Sequence, residues 1–231
     1  MQPDRRQFLG SLTTGAMALG GLGLGLAALP DALAAAPLHG GHGPQGAAWD
    51  TSWTSRLTGR VRTVFDVPEV ESGYGVWRAS IWAAQYRQIL GIAESELSTA
   101  LVLRHNAIVL AMQQSAWDRY GLAEMSKATH PVTEQPTRRN PALIGAEDGL
   151  PQPQSSFALP GFIKRGGVAL ACDLALAVVA GHIATVDGVS AAVAKERAVA
   201  ALVPGVILQP SGVFSVLHAQ REAGALYIRA S

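Results

Sequence analysis

Short, continuous apolar segments separated by stretches of helix length constrain the fold of this chain most strongly. Five of them predict β-strands, at residues 61–67, 99–105, 167–172, 206–209 and 225–229. Because these runs are apolar throughout rather than alternating, each strand is expected to be covered on both faces. We therefore predict an α/β fold in one domain, with a mostly parallel sheet of about five strands and helices on both faces.

The predicted helices lie between these strands and follow the usual start and stop signals. They are residues 74–90, 107–120, 157–165, 173–184, 189–202 and 213–223. Residues 122–155 differ, because five prolines interrupt any long element. This Pro-rich insertion is expected to be a lid, an oligomer arm or a disordered loop within a domain that spans residues 60–231.

The first 36 residues have the pattern of an export signal. Arg5 and Arg6 are followed by a Gly-, Ala- and Leu-rich apolar run, which is typical of a twin-arginine signal peptide cleaved after Ala34 or Ala36. An uncleaved membrane anchor is the alternative, since the run is nearly long enough to span a bilayer. We predict folded export to the periplasm, no stable membrane insertion after signal removal, and a flexible lead-in over residues 37–59.

Charge and cysteine content exclude several classes of function. A net charge of +1 over 231 residues, with no basic run, argues against a nucleic-acid binder. A single cysteine cannot build a disulfide framework or a thiolate zinc cage. We predict no cofactor and no metal site, although Cys172, His105 or Met112 could serve a metal or haem as a further alternative.

Ligands of parallel α/β folds bind at the carboxyl ends of the strands, and three predicted strands end in reactive or polar residues. The second ends at Arg104, His105 and Asn106, and the third at Cys172 and Asp173. Ser211 and Gly212 follow the fourth strand. The expected site therefore comprises Cys172 and His105 as catalytic residues, and Asn106, Asp173, Ser211 and Gly212 as substrate-binding residues.

Each member of this set also has a purely structural interpretation. Cys172 stands where a strand meets a helix, a position that favours a thiolate, but most free cysteines are buried and inert. Asp173 would disfavour a thiolate unless it caps the helix and faces away. His105 could pair with the thiol or with a ligand, or hydrogen-bond a loop. Ser211 is better explained as a helix N-cap, because no Gly-x-Ser-x-Gly elbow surrounds it.

In these features the chain resembles the DsrE/DsrF-like sulfur-handling domains, over about residues 60–230. A strand ends in His105, a Gly-Val-apolar strand closes on Cys172 before an Ala- and Leu-rich helix, and a Pro-Gly-Val strand is followed by Ser-Gly-Val. The resemblance implies a mostly parallel α/β sandwich that is often oligomeric. It also implies that a cysteine at the position of Cys172 carries sulfane sulfur as a persulfide. The predicted export, the Pro-rich insertion and Asp173 depart from the familiar pattern.

Two functions follow as hypotheses. The first is an exported persulfide carrier or sulfurtransferase-like protein, whose partner is a small sulfur compound or a sulfur-relay protein and which forms a homo-oligomer. A lone cysteine suits this role, since no second thiol competes to form a disulfide. The second is a non-catalytic oligomeric ligand-binding or assembly module in which Cys172 is buried and inert.

Overall fold

The computed structural model describes residues 48–231, and the predicted signal peptide lies outside this range. The described part is built on one sheet of five strands in the order β4-β3-β2-β1-β5. Its strands are β1 (Val61–Val67), β2 (Leu97–Leu103), β3 (Val168–Cys172), β4 (Ile207–Gln209) and β5 (Leu226–Arg229). Every pairing is parallel, which confirms the predicted α/β fold class and extends it, since a mostly parallel sheet was expected.

Seven α-helices connect or flank these strands within residues 48–231. They are α1 (Tyr74–Leu90), α2 (Gln114–Tyr120), α3 (Leu122–Ser126), α4 (Leu159–Lys164), α5 (Asp173–Asp187), α6 (Ala191–Ala200) and α7 (Gly212–Ala223). Among the described residues, no single helix has the length and apolar character needed to cross a membrane. Helices α5 and α6 meet that test only as a pair, and the pair is bent by 114°.

Side chains from the two faces of the sheet enter two separate apolar clusters. Phe65, Leu101 and Ala169 belong to the larger cluster, together with residues of α1, α5 and α6. Their neighbours Val64 and Val102 belong to the second, under α7. The continuous apolar runs are therefore explained by burial on both faces, and the predicted helices on both faces are confirmed.

The second cluster also corrects the prediction of a flexible lead-in up to residue 59. Residues Ser52–Arg56 form a 3-10 helix, and Trp53 is only 1% exposed. Trp53 and Leu57 pack with the α7 residues Ala219 and Ala223. The lead-in is ordered here because α7 alone does not cover this face of the sheet.

The helix predicted at residues 107–120 is wrong in its first half. β2 ends at Leu103, two residues earlier than predicted, and His105 has a φ of +51°, which lies in the left-handed region. Residues His105–Ala111 then form a 3-10 helix, and α2 begins only at Gln114. A run that is buried on all sides does not reveal its helical period, because polar residues mark none of its faces.

The Pro-rich insertion contains the short helix α3 and three 3-10 turns, and it packs against the domain. Its anchor is Asn140, which is fully buried. The Asn140 side-chain amide donates to the carbonyl oxygens of Leu110 at 3.1 Å and Met112 at 2.7 Å. The insertion is thereby tied to the segment that follows β2 and leads away from the carboxyl edge of the sheet.

Asp187, at the end of α5, joins three elements and gives a prediction for acid stability. Arg119 donates to its Oδ1 at 2.9 Å, Tyr120 donates to Oδ2 at 2.9 Å, and Arg197 of α6 also pairs with Oδ2. The hydrogen bond from Arg119 is the main cause that lowers the pKa of Asp187 to about 2. A pKa that is lower in the folded state adds stability above the unfolded-state pKa of about 4, and this stability is lost as pH falls toward 2.

We therefore expect Asp187→Asn to destabilise the protein at neutral pH and to flatten its loss of stability between about pH 4 and pH 2. Urea unfolding followed by circular dichroism across this range measures both effects. Asp118→Asn is the matched control, because Asp118 is an exposed aspartate that forms no salt bridge within the described residues. If the two variants had the same pH dependence, the ion-pair cluster would not explain acid stability.

Candidate functional site at the carboxyl edge of the sheet

The parallel register brings the predicted site segments to one edge of the sheet, as expected. Leu103 of β2 pairs with Ala171 of β3, so Arg104 and Cys172 occupy the next positions on adjacent strands. Cys172 pairs in turn with Gln209 of β4, after which Ser211 follows. The ends of β2, β3 and β4 are therefore neighbours, and all six predicted site residues follow or close these three strands.

Cys172 closes β3 and is the N-cap residue of α5. Its Sγ accepts a hydrogen bond from the backbone N–H of Ala175 at 3.4 Å, and the residue is 5% exposed. The first turn of a helix has backbone N–H groups without intrahelical partners, and a hydrogen bond to them stabilises negative charge on sulfur. The sulfur therefore caps α5, and its burial limits access by reagents.

Asp173, the residue after Cys172, forms a salt bridge with Lys195. Its Oδ1 lies 2.5 Å from the Nζ of Lys195 in α6, and the carboxylate is 10% exposed. Lys195 also donates to the backbone carbonyl of Asp173 at 3.4 Å. A free carboxylate at this position would oppose negative charge on Cys172. Asp173 has less of this effect, because Lys195 neutralises its carboxylate.

His105 and Asn106 contact Glu69, which lies in the loop after β1. Asn106 Nδ2 donates to Glu69 Oε2 at 2.7 Å, and His105 Nδ1 lies 3.4 Å from Oε1. The His105 side chain is 62% exposed. His105 therefore contacts the loop after β1, which is one of the alternatives that the sequence left open, and both side chains form an exposed polar group beside the edge.

Ser211 and Gly212 begin α7. Ser211 Oγ accepts from the backbone N–H of Phe214 at 3.0 Å, which confirms its interpretation as an N-cap. A Cβ added to Gly212 would lie 2.4 Å from Cδ and 2.7 Å from Cβ of Arg104. Gly212 therefore gives the Arg104 side chain room to cross the edge of the sheet.

Arg104, which was predicted to end the second strand but was not included in the expected site, lies at the centre of this edge. Its Nε donates to Asp66 Oδ1 at 2.6 Å and its Nη2 to Oδ2 at 2.8 Å. Tyr227 of β5 donates to the same Oδ2 at 3.0 Å. The hydrogen bonds from Arg104 to Asp66 are the main cause that raises the pKa of Arg104. Arg104 is thus a fixed cation, and it occupies the strand position beside Cys172.

A signal for this pair was present in the sequence. Asp66 is the only acidic residue in the apolar strand VRTVFDV, and its side chain is 5% exposed. A carboxylate in a strand that is covered on both faces requires a cationic partner, and Arg104 follows directly after the neighbouring strand.

Within residues 48–231, no group of three or more His, Cys, Asp or Glu side chains is placed to hold a metal ion. The arrangement offers instead one sulfur, one fixed cation and an exposed polar group. Comparisons with known proteins add no assignment, since no protein-family model, curated protein or solved structure matches this chain.

Proposed function

We propose that this protein is an exported, DsrE-like sulfur carrier that holds sulfane sulfur as a persulfide on Cys172. One observation carries the proposal: the Sγ of Cys172 accepts a backbone N–H in the first turn of α5, and Cys172 lies beside the fixed cation Arg104 on the adjacent strand. Hydrogen-bond donors and nearby cations are the surroundings that stabilise an anionic sulfur, which is the nucleophilic form of cysteine.

The proposed loading step is a sulfur transfer without net oxidation. The Cys172 thiolate attacks the outer sulfur of a donor persulfide, so that a new S–S bond forms on Cys172 while the S–S bond of the donor breaks. The donor leaves as a thiolate and takes up a proton from solvent. Unloading reverses these bonds on an acceptor thiol, and the described residues contain no second cysteine that would intercept the persulfide as a disulfide.

The other edge residues have supporting roles in this proposal. Arg104 holds negative charge on the sulfur, and Asp66 and Tyr227 hold Arg104 in place. His105 and Asn106, with Glu69, form an exposed polar group that would contact a small sulfur compound or a sulfur-relay protein. Export through the twin-arginine pathway and a homo-oligomeric state belong to the same proposal.

A second function is favoured by one specific observation. Cys172 is only 5% exposed, and its sulfur replaces the usual oxygen of an N-cap. A cysteine with this purely structural role would fit an oligomeric binding or assembly module in which the thiol never reacts.

Intact-mass analysis distinguishes the two functions. The mature protein, purified without reductant from a host that exports it, should carry reducible additions of about 32 Da for each sulfur atom. Cys172→Ser should lose all of them and still fold, because serine is a good N-cap and can accept the same hydrogen bond from Ala175. A bare thiol that resists alkylation until the protein unfolds would reject the carrier and support the assembly module.

A further inference from the structure

A cavity of about 790 Å³ opens at the amino edge of the sheet, at the opposite ends of the strands from Cys172. Leu97, the first residue of β2, lines the cavity, whereas Arg104 follows the last residue of the same strand at the other edge. A strand of seven residues at about 3.3 Å per residue separates the two edges by roughly 20 Å. None of the carboxyl-edge residues described above lines the cavity, so it is a separate site.

The lining of the cavity has an apolar part and a polar part. Ala83 of α1, Phe157 and Phe162 contribute apolar surface. Ser80 and Ser98 contribute hydroxyl groups, which accept hydrogen bonds from Arg165 at 3.0 Å and from the backbone N–H of Gly59 at 2.7 Å. Each hydroxyl still has its own hydrogen to donate, since neither donates to another described residue.

The charge of the lining is positive. Three arginines and one glutamate face the cavity: Arg56, Arg87, Arg165 and Glu94. Glu94 is engaged by Arg87 at 3.2 Å. Arg165 forms no salt bridge with any carboxylate among residues 48–231, so its charge is not neutralised by this part of the chain.

Arg165 is held in a defined position all the same. Its Nη1 donates to the Ser156 carbonyl oxygen at 2.6 Å and its Nη2 to Ser80 Oγ at 3.0 Å. These contacts use two of its five N–H donors and leave three for a ligand. Much of Arg165 is exposed, but partial burial of its guanidinium lowers its pKa. Partial burial makes a positive charge without a counter-ion less favourable, and a bound anion would offset this penalty.

We propose that this cavity binds a small organic anion that consists of a carboxylate or phosphate group on an apolar body. The planar guanidinium of Arg165 matches the geometry of either oxyanion, and the hydroxyls of Ser80 and Ser98 add neutral donors on the same lining. Ala83, Phe157 and Phe162 receive the apolar body. The site is independent of sulfur chemistry at Cys172 and stands whether or not that function holds.

Isothermal titration calorimetry on the full chain tests the proposal with four probes. Phenyl phosphate and benzoate combine charge with an apolar ring and should bind saturably, and the tighter of the two identifies the preferred oxyanion. Inorganic phosphate lacks the ring and benzyl alcohol lacks the charge, so each should bind about tenfold more weakly or worse. Equal affinity for inorganic phosphate, or no saturable binding of either aromatic anion, would overturn the proposal.

Two variants and one control test whether the anion binds in this cavity. Arg165→Gln should weaken the preferred anion by about tenfold or more. Because Arg165 also anchors Ser80 and Ser156, a second variant keeps Arg165 in place: Ala84→Glu adds a carboxylate from an exposed helix position on the cavity wall and should cause the same loss. Arg221→Gln removes an exposed arginine outside the cavity and should leave affinity unchanged. Wild-type affinity in Ala84→Glu would place the anion elsewhere and reject this site.

Discussion

Replacing Asp66 with alanine is expected to lower the free energy of unfolding by about 3 kcal/mol. The Asp66 side chain is 5% exposed and accepts three hydrogen bonds, two from Arg104 and one from Tyr227. Its removal leaves the partly buried Arg104 guanidinium without a counter-ion and the Tyr227 hydroxyl without an acceptor. The estimate is at the low end for a broken buried ion pair, because the Arg104 side chain is 30% exposed and water can reach it. Guanidinium denaturation monitored by circular dichroism measures the loss.

Two companion variants separate the ion pair from the rest of the network. Tyr227→Phe removes only one donor and should cost about 1 kcal/mol. Asp66→Ala combined with Arg104→Met removes both charges and should be more stable than Asp66→Ala alone, since no unpaired charge remains. The double variant is compared with Asp66→Ala alone and Arg104→Met alone. If its loss of stability equalled the sum of those two losses, the charges would not be coupled, and Arg104 would not be the fixed cation on which the proposed sulfur chemistry depends.

The fold was predictable from the sequence because burial decides it locally. A strand that is covered on both faces must be apolar throughout, which is why residues 61–67 and the short runs before Cys172 and Gln209 identified their strands. Helix α1 was predicted with its observed bounds, because Gly91 ends it in a left-handed conformation (φ +65°) that glycine adopts freely. Residues 107–111 form an apolar run that is buried on all sides, so no polar residues marked its helical period and the type of helix could not be predicted.

The site was less predictable, since its contacts join residues that are far apart in the chain. The edge itself followed from parallel topology, and with it the neighbourhood of Cys172. The pairing of Arg104 with Asp66 spans 38 positions and depends on strand order. His105 contacts Glu69 from a left-handed backbone conformation, which no periodic pattern specifies. Trp53 was not predicted to be a core residue. The first part of the lead-in is rich in Gly and Pro, which indicates a loop, and a single aromatic residue does not change that pattern.

The second large effect is expected for Trp117→Ala, at about 3–5 kcal/mol. Trp117 of α2 is 1% exposed, and its Nε1 donates to the carbonyl oxygen of Val109 at 2.8 Å, inside the 3-10 helix that begins at His105. Alanine would leave a cavity and a buried carbonyl without this partner. The same variant should loosen the 3-10 helix, which hydrogen exchange of its amides detects as faster exchange beyond that explained by the global loss of stability.

Trp77 provides the matched comparison that isolates the hydrogen bond. Its indole is also buried, at 5% exposure, but its Nε1 has no hydrogen-bond partner among the described residues. Phenylalanine removes a similar part of the ring at either position, while only Trp117→Phe removes a hydrogen bond, after which the Val109 carbonyl keeps only the backbone N–H of Met112. Trp117→Phe should therefore cost about 1 kcal/mol more than Trp77→Phe. Equal losses would mean that the bond to Val109 does not hold the segment after β2, and the position of His105 at the carboxyl edge would then depend on packing alone.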